Sequence, residues 1–401
     1  MSVLVSSFVL ALAASSSDSP GAPVTWAKDV APILQRRCQT CHRPDAVGPF
    51  ALVTYDDVRG RAKMLAQVVA SGAMPPWNAD ERFDGVFANE RKLTPAEKQT
   101  LLDWVAAGAP RGDAAAEPAP KDWPTGWTIG TPDLVLEPRF EMRTRKELPA
   151  DGYAVPREGV LDYQYFVVPT GFSEDRWVQR FELLPGAKDV VHHVLAALAT
   201  SGGGLDPNGF LATYVPGDTP SIYPEGYAKK IPKGASIVFQ VHYTPNGKER
   251  FDRCRLGLVF ASEPPLFAVR SSALVNQGFE IPPGAANFEV RASQTFPGDV
   301  GLLSLMPHMH TRGKDFRIDA RFPDGTSQEL LFAHYDFDWQ ESYSLPDPLL
   351  LPAGTVLECV GHFDNSAANP ANPDPDVSVR WGDQTFEEMF VAYLDTVVPV
   401  E

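Results

Sequence analysis

The period of the apolar positions changes once along the chain, near residue 130. Upstream it is helical. "WAKDVAPILQRRC" (26–38) and "YDDVRGRAKMLAQVVASG" (55–72) space apolar residues three and four apart, the second ending at Gly72. "LTPAEKQTLLDWVAAG" (93–108) adds a full set of end signals: Thr94 as N-cap, Pro95 in the first turn, Glu97 placed to cap back, and Gly108 as terminator. "APRGDAAAEPAPKDWPTG" (109–126) has no period and reads as linker. Downstream, "IVFQVHYT", "RLGLVFA", "FRIDARFPDGTSQELLF" and "TVLECVGHFD" alternate apolar and polar residues between turn formers, the pattern of antiparallel strands, with "PDGT" (323–326) as a hairpin turn. The expected fold is multidomain: an all-α domain over 22–112, a linker over 113–130, then an all-β region of two tandem antiparallel sandwich lobes, 131–262 and 263–401. The division falls near "SEPPL" (262–266), because about 270 residues is large for one sandwich.

Composition narrows the setting. Of 401 residues 44% are hydrophobic and 21% charged, which suits a globular chain with a sizeable core. A net charge of −16 argues against nucleic acid or an anionic membrane surface as partner. "MSVLVSSFVLALAASSS" (1–17) has the apolar run and small residues of a secretory signal but no basic start, so it reads as a signal or a membrane anchor. No later run approaches the ~18 apolar residues that span a bilayer. A periplasmic or secreted location is expected.

Residues 38–42 form a C-x-x-C-H motif. In such a motif two thiols can form thioethers to haem while the histidine takes the proximal iron position. A redox dithiol would want a βαβ setting, and a zinc site two more ligands at matched spacing. Helical patterns surround this motif instead, and Cys254 and Cys359 lie in the β region. Covalent haem c on Cys38, Cys41 and His42 is therefore expected. A methionine sixth ligand raises haem potential. Met74, in the proline-stiffened "SGAMPPW", is favoured over Met64, whose mid-helix position suits core packing. Residues 22–112, with their late "LLDWVAAGAP" helix, resemble a small cytochrome c domain.

Five of the eight histidines fall in three apolar strand segments: His192 and His193 in "VVHHVLAAL", His242 in "FQVHYTPNG", and His308 and His310 in "MPHMHTRGK". Residues i and i+2 of a strand share a face, so His308 and His310 can bind one metal. Adjacent residues face opposite ways, so His192 and His193 converge only at a bend or bulge. Single buried histidines are usually satisfied core residues; this clustering is not of that kind. Imidazoles suit zinc, copper, iron or nickel, and a thioether tilts the choice to copper(I).

Taken together, "HHV", "QVHY", "HMHTRGK" and "EEM" resemble the copper type II, ascorbate-dependent monooxygenases, the dopamine β-monooxygenase and peptidylglycine α-hydroxylating monooxygenase group, over residues 131–401. The resemblance implies two copper ions. His192, His193 and His242 would hold an electron-transfer copper, and His308, His310 and Met389 a catalytic copper where O2 is activated. Without it, Met389 would read as core. The peptide-amidating members carry an arginine and an asparagine where this chain has Met306 and Val391, while their tyrosine is kept as Tyr393. A C-terminal glycine substrate is therefore not implied. Cys254 and Cys359 can pair only if the fold brings them within bonding distance. His334 and His362 read as surface or supporting residues, and the Asn/Pro-rich "DNSAANPANPDPD" as turns rather than a calcium loop.

The implied function is hydroxylation of a C–H bond in a small organic or peptide-like substrate by O2. Electrons would pass from an outside donor (a cytochrome, a quinol-linked reductase or ascorbate) through the haem to the copper at His192, His193 and His242, and then to the copper at His308, His310 and Met389. Met306 and Val391 keep two non-enzymatic readings open: a haem and copper protein that only relays charge, and a copper storage or delivery protein. Copper-dependent oxygen uptake coupled to substrate loss separates them.

Overall fold

The computed structural model describes residues 23–44, 46–200, 204–215 and 220–400. The 1–17 signal or anchor segment lies outside the described residues. Near the N-terminus a helix with a wide first turn, Trp26–Val30, continues as Ala31–Arg37 and delivers Cys38 at its end. The helix expected over 55–72 is two, Tyr55–Arg59 and Ala62–Ser71, broken at Gly60 and stopped by Gly72 at φ 81°. Pro95–Ala106 carries the expected capping box, with the Thr94 side chain accepting from the Glu97 N–H and Glu97 accepting from the Thr94 N–H.

These helices do not make the expected all-α, cytochrome c-like domain. Among the described residues strand far outweighs helix, and the four α-helices are short, 12 residues at the longest. They enclose a small core around Trp26, Leu34, Leu65, Leu101 and Trp104. The chain between them then leaves that core. Ala79 forms a β-bridge with Ala333, the Asp80 N–H donates to the Phe332 carbonyl at 2.8 Å, and Phe83 and Phe87 are buried among C-terminal strands. Burying each phenylalanine there stabilises by about 1.5–3 kcal/mol, so residues 22–112 are not a free-standing unit. The 113–130 stretch is docked too: Gln35 donates to the Ala119 carbonyl, Arg43 lies over Trp123, and the Thr128 and Ile129 N–H groups donate to Glu182.

The β region also differs from two tandem sandwiches. One nine-stranded sheet runs through both lobes. Tyr227–Ile231 pairs in parallel with Phe267–Val275, which pairs with Val391–Pro399 and through it with Val300–His308. Against one half of this sheet lies a four-stranded sheet containing Val191–Ala199 and Ser236–Tyr243; against the other lies a sheet containing Gly313–Arg321 and Val356–Phe363. Apolar alternation marks the strands but carries nothing about which strand joins across a lobe boundary. The expected hairpin at 323–326 is present: Gly313–Arg321 pairs with Ser327–His334, and Gly325 takes φ 87°. Among the described residues no helix is long and apolar enough to cross a membrane.

Candidate functional site

His192 and His193 converge through a bulge. On the edge shared with Ser236–Tyr243, Val191 pairs with Tyr243 but His193 with His242, so His192 is the extra residue. The ligand nitrogens of His192, His193 and His242 all lie within 4.8 Å of one another, the only such His/Cys/Asp/Glu group of three among the described residues. His192 Nδ1 faces His193 Nδ1 at 3.1 Å. Two imidazoles on one tetrahedral metal, with bonds of about 2.0–2.1 Å, put their nitrogens roughly 3.3 Å apart. The buried His242 Nδ1 has no hydrogen-bond partner. Desolvation holds His193 well below its ordinary range, and takes His242 down to about 4 with help from His192. Neutral imidazoles with available lone pairs at neutral pH suit a cation, and an orphaned ring nitrogen is costly without one.

His308 is the last residue of Val300–His308; Met309 turns into the C-terminal core, and His310 returns to the first side. The two rings stand 5.4 Å apart at 87°. A carbonyl oxygen can only accept, so the neighbours place the ring protons. His308 Nδ1–H donates to Gln340 Oε1 at 2.7 Å, and Gln340 is oriented by its own donation to the Phe337 carbonyl. His310 Nδ1–H donates to the Glu387 carbonyl at 3.2 Å. Both Nε2 atoms are thereby left as lone-pair donors, and His310 Nε2 is buried without a partner. Burial lowers His308 to about 4 and His310 to about 3. Glu388, fully buried, accepts from the His310 and Arg312 N–H groups at 2.8 and 2.7 Å, tying the turn after the pair to the residue before Met389. Burial pushes Glu388 up to about 8 against the pull of those N–H groups and of Arg312.

Both sets reach one cavity. A space of about 490 Å³ is lined by His193, His308, His310 and Met389 together with Tyr163 and Tyr393. Met306 and Val391, at the two positions where carboxylate anchors are missing, line it as well. Phe337 stands between the sets, stacked on His192 at 5.7 Å and 6.1 Å from His310 between ring centroids.

A separate, apolar cavity of about 430 Å³ is lined by Cys38, Cys41, His42, Met64 and Met74. It thus collects every expected haem residue and both candidate methionines. His42 Nδ1–H donates to the Phe50 carbonyl at 3.1 Å, leaving Nε2 as the lone-pair donor. Gly48 passes over the ring so closely that a Cβ there would lie 2.8 Å from His42 Nδ1 and 2.7 Å from the Cys41 carbonyl. Burial raises both thiols, Cys38 to about 12. Such thiols are unlike the acidic one of a redox dithiol. The residues therefore fit a haem c.

No family model matches the chain, and no curated protein does. Solved structures resemble it only faintly. They include an allantoicase (10% identity, 53% of this chain and 79% of that one, TM-score 0.17). The VP2 subviral particle of infectious bursal disease virus is another (9% identity, 68% and 74%, TM-score 0.19). A third is the tandem CBM22 domain of Paenibacillus barcinonensis Xyn10C (9% identity, 67% and 98%, TM-score 0.16). Likeness at that level carries no argument about fold or function.

The remaining titratable residues sort plainly. Cys254 and Cys359 are free and buried in different cores, so they do not pair. His334 is exposed beside Asp80, and His362 is held by Asp315. Sequence reasoning missed Gln340, Glu388, Arg312 and the aromatic residues Tyr163 and Phe337. For Glu388 and Arg312 the only signal was adjacency to the quoted "EEM" and "HTRGK"; Gln340 carried none.

Proposed function

We propose that this protein is a copper-dependent monooxygenase that hydroxylates a C–H bond of a small organic or peptide-like molecule with O2, drawing its electrons through a covalently attached haem c. One observation carries the proposal: His193 of the first set and His308, His310 and Met389 of the second, with the three imidazoles held neutral by burial, line a single cavity large enough for a small molecule. Copper bound at His192, His193 and His242 and at His308, His310 and Met389 would supply single-electron storage and oxygen activation, and haem on Cys38 and Cys41 a one-electron supply.

The chain's own residues do the rest. Gln340 and the Glu387 carbonyl fix the two Nδ1 protons, so that Nε2 of each ring faces the ligand position. Glu388 and Arg312 hold the turn rigid behind them. Tyr163 packs on His193 and His242 at 5.3 and 5.0 Å and keeps water from that side. Arg143, Gln240 and Asp383 line the same space and offer polar groups for a substrate. With Met306 and Val391 in the anchor positions, the expected substrate is not held by a terminal carboxylate. An extracytoplasmic location, exported or held at a membrane by the N-terminal segment, and an external haem reductant complete the proposal.

Purified protein, loaded with copper and with its haem kept reduced, is incubated with small-molecule extracts under ¹⁸O2. The expected product gains a single ¹⁸O atom, with oxygen uptake that depends on copper. Copper-dependent haem oxidation with no labelled product and no substrate loss would leave an electron-transfer protein instead.

A further inference from the structure

One loop divides its side chains between the two cavities. Between Ser327–His334 and Tyr343–Leu351 the chain passes through Phe337, Trp339, Gln340 and Glu341. Phe337 stacks on His192 and Gln340 accepts from His308, both on the histidine side. Trp339 lines the C-x-x-C-H cavity, and Glu341 pairs with Arg91, which lines that cavity too. The loop is pinned to the N-terminal segment: Asn78 donates to the Trp339 carbonyl at 3.2 Å and Asn89 to the Ser342 carbonyl at 2.6 Å. Trp339, which lines one cavity, is therefore joined by a single peptide bond to Gln340, whose side-chain amide is hydrogen-bonded to a histidine of the other.

Electron transfer weakens steeply across empty space and less steeply through bonded atoms, so a short covalent path outweighs longer detours. Resting on the function proposed above, we propose that Trp339–Gln340 is the conduit between a haem c at Cys38, Cys41 and His42 and copper at His308, His310 and Met389. The electron then enters the second histidine set directly, without first passing through His192, His193 and His242. With both groups bound, one electron would leave ferrous haem and reduce one cupric ion, with no proton transferred and the indole and amide covalently unchanged. Trp339 is here a positioning residue, not a catalytic one.

The test uses the full, haem- and copper-loaded protein, all metals oxidised and without O2. The haem is reduced by a photosensitiser flash and its absorbance followed. Wild type should show a fast, copper-dependent reoxidation. Trp339→Leu should slow it by an order of magnitude or more, while Trp339→Phe stays near wild type. Haem content, copper content and haem oxidation by ferricyanide, which a general disturbance of the pocket would alter, should be unchanged in both. A copper-dependent rate unaffected by Trp339→Leu overturns the conduit and leaves the proposed function standing. Wild-type reoxidation equally fast with and without copper overturns the proposed function, and the conduit with it. His242→Ala gives an independent check that does not touch the loop: the fast phase should persist, and its loss would route the electron through the first set and overturn direct entry.

Discussion

The two cavities are assembled in opposite ways. The C-x-x-C-H cavity is built mostly from a stretch of chain between residues 36 and 76, with its reactive groups on consecutive turns after one helix. The histidine cavity gathers residues from Met142 to Tyr393, carried by strands of several sheets. Thioethers made by the first would be covalent and independent of the fold. The ligand sets of the second exist only while Val191–Ala199, Ser236–Tyr243, Val300–His308 and Val391–Pro399 keep their register. Unfolding should therefore separate the two.

That separation is the largest effect expected. After denaturation and acid–acetone extraction, haem should stay with the polypeptide while copper is released completely. A Cys38→Ser, Cys41→Ser double variant should lose all covalent haem, seen as loss of haem staining on a denaturing gel. Freely extracted haem in the wild type would break the comparison at its root. Since Met64 and Met74 line the same cavity, redox titration chooses between them: replacing the axial methionine with alanine lowers the potential, and Met74 is the one expected to do so.

Next comes copper stoichiometry. Metal analysis of the wild type should give two coppers per chain. His242→Ala and His308→Ala should each give one, because deleting one of three ligands weakens a site by more than the roughly 10–100-fold cost of disturbing a ligand's support. Met389→Ile should leave the first site intact and remove only thioether ligation at the second. One copper in the wild type, or one shared loss in every variant, would mean that the two sets act as a single centre in their common cavity.

The same contrast sets what could be read in advance. The ends of Pro95–Ala106 and the hairpin at 323–326 depend on neighbours in the chain, and the expectation of each matches the structure. The 38–42 motif is equally local, and its Cys38, Cys41 and His42 line one cavity with Met64 and Met74. The convergence of His192 and His193 needed a bulge, and one is present at that position. What was not legible depends on distant packing. Phe83 and Phe87 fall between the two helical patterns, where nothing local marks a distant partner, yet they are buried in the C-terminal β core and undo the independent helical domain. Pairing of Tyr227–Ile231 with Phe267–Val275 across the lobes leaves no mark in either segment's alternation. Gln340, 32 residues from His308, looks like any surface amide until the strands close.

Acid sharpens the comparison further. His242 and His308 sit near 4 and His310 near 3 in the folded protein, against about 6.5 when unfolded. Above 6.5 each of these histidines is neutral in both states and adds no slope. Glu388, raised by burial from about 4.5 to about 8, contributes a slope of opposite sign between those values, which offsets one histidine. As pH falls from 6.5 towards 4 the unfolded chain takes up protons that the folded chain refuses. The copper-free protein should then lose about 1.4 kcal/mol per pH unit for each such histidine. Cys38 and Cys41 of the other cavity add nothing in this range, whether bonded to haem as thioethers or left as thiols that burial raises. Melting temperatures of copper-free protein between pH 7.5 and about 4.5 check the slope. Replacing His308 with Gln should shallow it, and an equal slope in that variant would count against the depressed value at this site.

The smallest expected effect falls on a residue that touches no metal. Gln340 is nearly fully buried, donates to the Phe337 carbonyl and accepts the His308 Nδ1 proton at 2.7 Å. Gln340→Leu keeps the volume but removes the acceptor, so the His308 ring is free to turn and to carry its proton on the nitrogen that faces the cavity. Loss of such support costs about 10–100-fold in metal affinity, which is about 1.4–2.7 kcal/mol. The loss should be confined to the second set: His192, His193 and His242 make no hydrogen bond to Gln340 and should hold copper as before. Gln340→Glu, which still offers an acceptor to Nδ1–H, should recover most of the affinity. Chelator competition resolves the two sites, because only one of two binding phases should weaken. An equal weakening of both phases would show that the loop supports the cavity as a whole rather than one histidine in it.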